Sequence, residues 1–222
     1  MSTALERILE ISSGAIVSQK PDKLQITSYF KKWHSRGSEL EQLISTRNGF
    51  WTYESSLLVR PFSNSKPPLG IIEWNDENLW KSDFNLDLHH ILCFAEDLFG
   101  CQFCIVEEKV CLFDPETGQL ENFANSLQDW AMAIIGDFEF RTGYPLAHAW
   151  QIKNSILIPG SRLLPKIPFA LGGKYDLENL YASKDVDGMI FRANIANQIR
   201  NISDGEKIII DIMSNSKRGT SG

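Results

Sequence analysis

The stretch Leu88–Phe123, LHHILCFAEDLFGCQFCIVEEKVCLFDPETGQLENF, decides how this chain folds. It divides into four short runs rich in β-branched, aromatic and thiol side chains: LHHILCFAED, CQFCIV, KVCLFD and QLENF. Each run has strand length and is bounded by turn chemistry. Glu107-Glu108 or a neighbouring residue closes one hairpin. DPETGQ, with a proline early and Gly118 late, closes the next. Four runs joined this tightly predict an antiparallel meander.

On the N-terminal side, GFWTYESSLLVRPF favours extended structure through Trp51, Tyr53, Leu57 and Val59 until Pro61 interrupts it. The segment FSNSKPPLG is a loop, GIIEW a short strand, and NDENLWKSDFNLD a polar loop. Farther upstream, SELEQLISTRNG has capping-box spacing at Ser38 and Glu41. Its apolar stripe is Leu40, Leu43 and Ile44, and Asn48-Gly49 is a left-handed stop. A first helix covers Ala4 to Ile11 with Leu5, Ile8 and Ile11 on one side. On the C-terminal side, NSLQDWAMAIIGDFEF repeats Leu127, Trp130, Ala131, Ile134 and Phe138 at helical spacing, with Ser126 and Asp129 able to cap its start. Gly143 ends that helix, and Pro145 sits in the first turn of a second, PLAHAWQI. A proline-punctuated, packed crossing follows, with Ile158, Leu163, Leu164 and Ile167 as its apolar residues. Then come a short strand at Leu180-Tyr181, a helix from about Gly188 to Arg200, a turn at Asp204-Gly205 and a last strand, KIIIDI. Together these predict one α+β domain, a central and mainly antiparallel sheet flanked by helices. Residues 1–48 form a helical segment packed on the core, 49–213 the domain proper, and 214–222 a flexible tail.

Composition narrows the function. At 222 residues and 43% hydrophobic the chain can bury a full core. No window approaches the ~18 uninterrupted apolar residues of a membrane span. Glu6, Arg7 and Glu10 interrupt the place of a secretory signal. Four cysteines without such a signal imply reduced thiols, so a cytoplasmic protein is expected, with Asn201-Ile202-Ser203 a chance sequon. The formal charge is −6, yet Glu73 to Glu121 holds twelve acids against Lys81 and Lys109, a local −10, and the rest of the chain carries +4. So acidic a middle argues against binding a nucleic-acid backbone. It leaves a solvated surface and a partner-facing one as the two readings.

Candidate chemistry is sparse. ALGGKYDLENLY begins like a phosphate loop. A Walker loop, however, needs glycine where Pro168 stands and Ser or Thr where Tyr175 stands, and no third glycine completes a dinucleotide fingerprint. Gly172 and Gly173 are instead expected to permit a turn. His90, Cys93, Cys101 and Cys104 supply four zinc-type ligands. The pairs lie only seven residues apart in sequence, however, and Cys101 and Cys104 should face opposite sides of an extended strand, so buried thiols are expected and no metal or other cofactor. The histidines His34, His89, His90 and His148 accompany no recognisable nucleophile motif, and no enzyme activity is expected.

Several stretches together resemble a bacterial branch of the SUKH superfamily, the group named partly for the yeast Smi/Knr regulator of cell-wall synthesis. They are GFWTYESSLLVRPF, FAEDLFGCQFCI, FDPETG, TGYPLAHAWQ and GGKYDLENLYASKDVDGMIFRANIANQIRNISDG. They run in the family's order from Gly49 onward. The resemblance implies an α+β fold and makes GGKYDLENLY a structural turn. It also implies an immunity protein, one that binds and neutralises a cognate polymorphic toxin domain, or alternatively a regulatory or scaffolding interaction module. From the acidic segment, the toxin is expected to be basic and to meet Asp76, Glu77, Asp83, Asp87, Glu107 and Glu108, with Trp74 as an aromatic anchor. Oligomeric state is left open.

Overall fold

The computed structural model describes residues 2–200. The elements, in order, are α1 (Ala4–Glu10), α2 (Lys23–Phe30), α3 (His34–Thr46), β1 (Phe50–Thr52), β2 (Leu57–Val59), α4 (Ile71–Trp74), β3 (Leu92–Glu96), β4 (Gln102–Val106), β5 (Lys109–Asp114), β6 (Gln119–Ala124), α5 (Leu127–Gly136), α6 (Phe138–Thr142), α7 (Tyr144–Asn154), β7 (Ser161–Pro165), β8 (Leu180–Lys184) and α8 (Asp185–Ile199). The six strands β1 to β6 lie in sequence order, each antiparallel to the next, and β7–β8 form a separate two-stranded ribbon. The expected α+β class is what the chain adopts. The turn assignments hold as well: Glu107 and Gly118 both take positive φ, 52° and 71°, one at each of the two hairpins that they close. The turn at Asp204-Gly205, the strand KIIIDI and the tail lie outside the described residues.

Two cores sandwich the sheet. On one face, Ile8, Phe30, Leu40, Leu43, Ile44 and Trp130 of α1, α2, α3 and α5 pack against Phe50, Phe94, Phe103 and Ile105, so the N-terminal helices belong to the same core as the sheet. On the other face, Trp80, Phe84, Leu88 and Ile91 of the loop before β3, with Met189, Ala193 and Ala196 of α8, cover Cys93, Cys104 and Phe113. The alternation of β4 makes this division: Phe103 and Ile105 point one way, Cys104 the other.

Several elements depart from their sequence patterns. α3 starts at His34, a turn ahead of Ser38, whose hydroxyl donates to the His34 carbonyl at 3.2 Å instead of capping. GIIEW is not a strand. The Glu73 carboxylate accepts from the Ser63 hydroxyl and, at 2.9 Å, from the Asn64 backbone N–H, which winds Ile71–Trp74 into one helical turn after Gly70. The apolar periodicity of 127–138 is broken at Asp137, where α5 ends and α6 begins, leaving Phe138 half-buried and stacked on Tyr53 at 4.5 Å. Ile11, Ile158 and Ile167 are exposed, while Leu163 and Leu164 are buried in β7. The glycine pair serves the backbone: Gly172 has φ +85°, and a Cβ on Gly173 would lie 1.9 Å from the Ile167 carbonyl oxygen. At the start of α5, Ser126 caps as expected, its Oγ accepting from Asp129 N at 3.0 Å.

Candidate functional site

The twelve acids of the middle segment do not form one surface. Glu96, at the end of β3, is buried between two arginines. Arg162 Nε of β7 donates to its Oε1 at 2.7 Å, Arg60 Nη2 lies 2.8 Å from its Oε2, and Gln102 Nε2 donates to Oε2 at 2.9 Å. Asp185, at the start of α8, completes the set 3.5 Å from Arg60. Burial alone would raise the Glu96 carboxyl; the Arg162 and Arg60 guanidiniums outweigh it and hold it down at about 2. This ionic clamp joins β2, β3, β4, the ribbon and α8.

The clamp also explains Trp74. Its indole N–H donates to Gln102 Oε1 at 2.8 Å, and the Arg60 guanidinium lies 3.5 Å from its ring. Trp74 is fully buried and cannot anchor a partner, which corrects the expectation for that residue. Of the expected acids, Asp76, Glu77, Asp83 and Asp87 sit on the loop between α4 and β3, and Glu107 and Glu108 at the β4–β5 turn. Some are engaged locally. Glu77 lies 3.6 Å from buried Lys81 and 3.3 Å from His89, and Glu108 accepts from the Ser35 hydroxyl.

At the end of the sheet opposite the β4–β5 turn the structure brings together acids that were not singled out. A meander places alternate turns at the same end. The β3–β4 turn, which carries Asp97, therefore lies beside the β5–β6 turn, which carries Asp114 and Glu116. With Glu139 and Phe140 of α6, and with Phe169 and Tyr175 of the segment before β8, these residues line a cleft of about 770 Å³. Its floor is apolar, built from Phe99, Phe103, Leu112 and Phe123. Phe169 and Tyr175 are stacked at 3.8 Å, with Phe99 edge-on to both at 5.3 and 5.6 Å. At the mouth, Phe140 is 80% and Tyr175 64% exposed.

Asp97 is the polar centre of this cleft. Its Oδ1 accepts from the backbone N–H groups of Phe99 and Cys101 at 2.9 and 2.8 Å, which folds the turn. Burial pushes its carboxyl up to about 7, against those hydrogen bonds and the more distant Arg162 and Arg192. Burial likewise raises Glu116, although its Oε2 accepts from Ala170 N at 2.9 Å. Because the folded pKa of Asp97 lies above its ordinary 3.8, wild-type stability should fall as pH rises from about 4 to about 7. Asp97→Asn keeps an oxygen for the two N–H groups. It should raise stability at pH 8, on the order of 1–4 kcal/mol, and leave it nearly unchanged at pH 4. Urea unfolding at the two pH values checks this. An equal effect at both would contradict it.

The thiols and histidines take other places. Cys93 faces Cys104 across β3–β4 with sulfurs 3.1 Å apart, whereas Cys101 turns to the cleft, so the three cysteines of the zinc-type set do not converge. Among the described residues no group of three His, Cys, Asp or Glu is placed to hold a metal ion. Burial and then Asp97 raise the Cys101 thiol well above its ordinary range, the wrong direction for a nucleophile. His148 Nδ1 lies 2.9 Å from Glu54 on the surface of α7.

The fold defines an α+β protein built on a six-stranded antiparallel meander with a helical layer. A similar solved structure is that of Atu4351 from Agrobacterium tumefaciens, with a TM-score of 0.57 and 11% identity over 85% of this chain and 87% of that one; the likeness is one of fold. No family model matches the chain, and no curated protein does. Among the described residues no helix is long and apolar enough to cross a membrane.

Proposed function

We propose that this chain is a bacterial immunity protein that binds and neutralises a toxin domain by direct contact in the cytoplasm, and that it does so with the cleft-bearing end of the sheet. The observation that carries the choice of face is the pair Phe140 and Tyr175, large aromatic side chains standing in solvent at the mouth of a concave, acid-lined site. Exposed apolar groups rimmed by charge mark interaction surfaces, and aromatic residues dominate the energetics of such surfaces. The immunity reading itself rests on the SUKH resemblance of five stretches of sequence. Asp76, Glu77, Asp83, Asp87, Glu107 and Glu108, none of which lines the cleft, then steer a basic toxin toward the protein.

Co-expression with the product of the neighbouring gene tests the function. Cells carrying both proteins should grow, cells carrying the toxin domain alone should not, and the two proteins should co-purify. Growth arrest in the presence of a folded, abundant chain would refute the proposal. Within a complex, Asp83→Lys with Asp87→Lys should slow association and flatten its salt dependence, while dissociation stays near the wild-type rate. A dissociation rate raised more than about tenfold would put those acids inside the contact instead.

A further inference from the structure

Resting on the reading that this end of the sheet meets a protein partner, we infer that the cleft is a cation site, which takes the guanidinium or ammonium group of a basic side chain on that partner. Asp97 points to it most directly. The residue is only 9% exposed and lines the cleft; Oδ1 is committed to two backbone N–H groups, and Oδ2 accepts no hydrogen bond among the described residues. Oδ2 is not one of the sealed, unpaired polar atoms of the interior, so it is open to a donor arriving in the cleft, and a cationic donor is its strongest complement.

The surrounding charges favour the same sign of ligand. Asp97, Asp114, Glu116 and Glu139 face the cleft against Arg141 and Arg192. Both arginines are already engaged. Arg192 donates to the carbonyls of Phe99 and Gly188 and is buried, and Arg141 lies 3.6 Å from Asp137 with its guanidinium 5.2 Å from the Phe123 ring. An anion would meet a net negative wall. A cation would meet carboxylates beside the Phe99, Phe169 and Tyr175 rings, whose π faces attract positive charge. The volume, about 770 Å³, is that of a small-molecule site and admits an arginine or lysine with its apolar neighbour.

Two capped dipeptides that differ in charge and hardly in shape test this: N-acetyl-Phe-Arg-amide and N-acetyl-Phe-citrulline-amide, titrated into the full chain at pH 8 and followed by backbone amide NMR shifts. The arginine peptide should shift the amides of Phe99, Cys101 and Ala170 and bind at least about tenfold more tightly than the citrulline peptide. Asp97→Asn should abolish that preference; should this variant not fold, Glu116→Gln reports the same loss. Equal binding of the two peptides, shifts confined to another surface, or no binding at roughly 10 mM would overturn the site. The outcomes separate from those for the function. A chain that protects cells but does not discriminate between the peptides loses only the cation site. A chain that discriminates but does not protect loses only the immunity reading.

Discussion

Glu96→Gln should destabilise the fold by about 3–5 kcal/mol, because it leaves buried guanidiniums facing a neutral amide. Both Arg60 and Arg162 are buried, and Arg162 uses its Nε on this carboxylate, so no water is at hand to replace the lost charge. Asp185 is the remaining acid, 3.5 Å from Arg60, and burial raises its own pKa despite that arginine, so it compensates poorly. The loss should be non-additive. Once Glu96 is neutral, Arg162→Met should cost much less than it does in the wild type, since the arginine has become the unpaired charge. The sign of the pH effect follows from the depressed carboxyl. With a folded value of about 2 against an ordinary 4.5, the contribution of Glu96 is present above pH 4.5 and is lost as pH falls toward 2. Acid unfolding of the variant should therefore be shallower than that of the wild type across this window. Denaturant midpoints from pH 7 down to pH 2 measure both effects, and a variant as stable as the wild type at pH 7 would show that the clamp contributes nothing.

Trp130→Ala should cost a similar amount, about 3–5 kcal/mol, for a different reason. The side chain is fully buried where α5 meets the sheet, with Phe94 at 5.3 Å and Phe103 at 5.8 Å, both edge-on. Truncation opens a cavity between rigid strands and a helix that cannot collapse onto them without losing its packing against α1 and α3. The indole N–H has no hydrogen-bond partner among the described residues, so Trp130→Phe removes an unpaired donor along with part of the ring. Trp130→Phe should therefore be far milder than Trp130→Ala. Thermal unfolding should show a drop on the order of 10 °C for alanine and only a few degrees for phenylalanine. A drop for phenylalanine as large as that for alanine would contradict the cavity as the cause of the loss.

The sheet was legible in the sequence because its information is local. Turn chemistry at Glu107 and at DPETGQ fixed two hairpins, but the β1–β2 hairpin was missed: GFWTYESSLLVRPF read as one extended run, whereas Tyr53, Glu54 and Ser55 take positive φ and turn it back on itself. GIIEW was misread as a strand for the opposite reason. Five residues cannot display a period, and what makes Ile71–Trp74 helical is Glu73 reaching back to Ser63 and Asn64. Trp74 sat among polar residues and looked exposed; Gln102 and Arg60, distant in sequence, bury it.

The acidic block was visible as composition but not as geometry. Net charge per segment is blind to which turns share an end of a sheet, and it counted Glu96 of the clamp together with Glu107 of an exposed turn. The cleft could have been found by taking the meander one step further. If four strands run up and down in order, the first and third turns meet, which sets Asp97 beside Asp114 and Glu116. Phe140 and Tyr175 carry no comparable signal, because α6 and the segment before β8 reach that end through tertiary packing alone.

The most direct measurement is the affinity of the purified chain for the product of the neighbouring gene, compared between the wild type and the double variant Phe140→Ala, Tyr175→Ala. Both side chains stand largely in solvent, so their truncation should leave the melting temperature close to that of the wild type. The double variant should bind roughly 30-fold or more weakly, the size expected when aromatic hot spots are removed. An unchanged affinity in a folded double variant would contradict the assignment of the binding face to this end of the sheet.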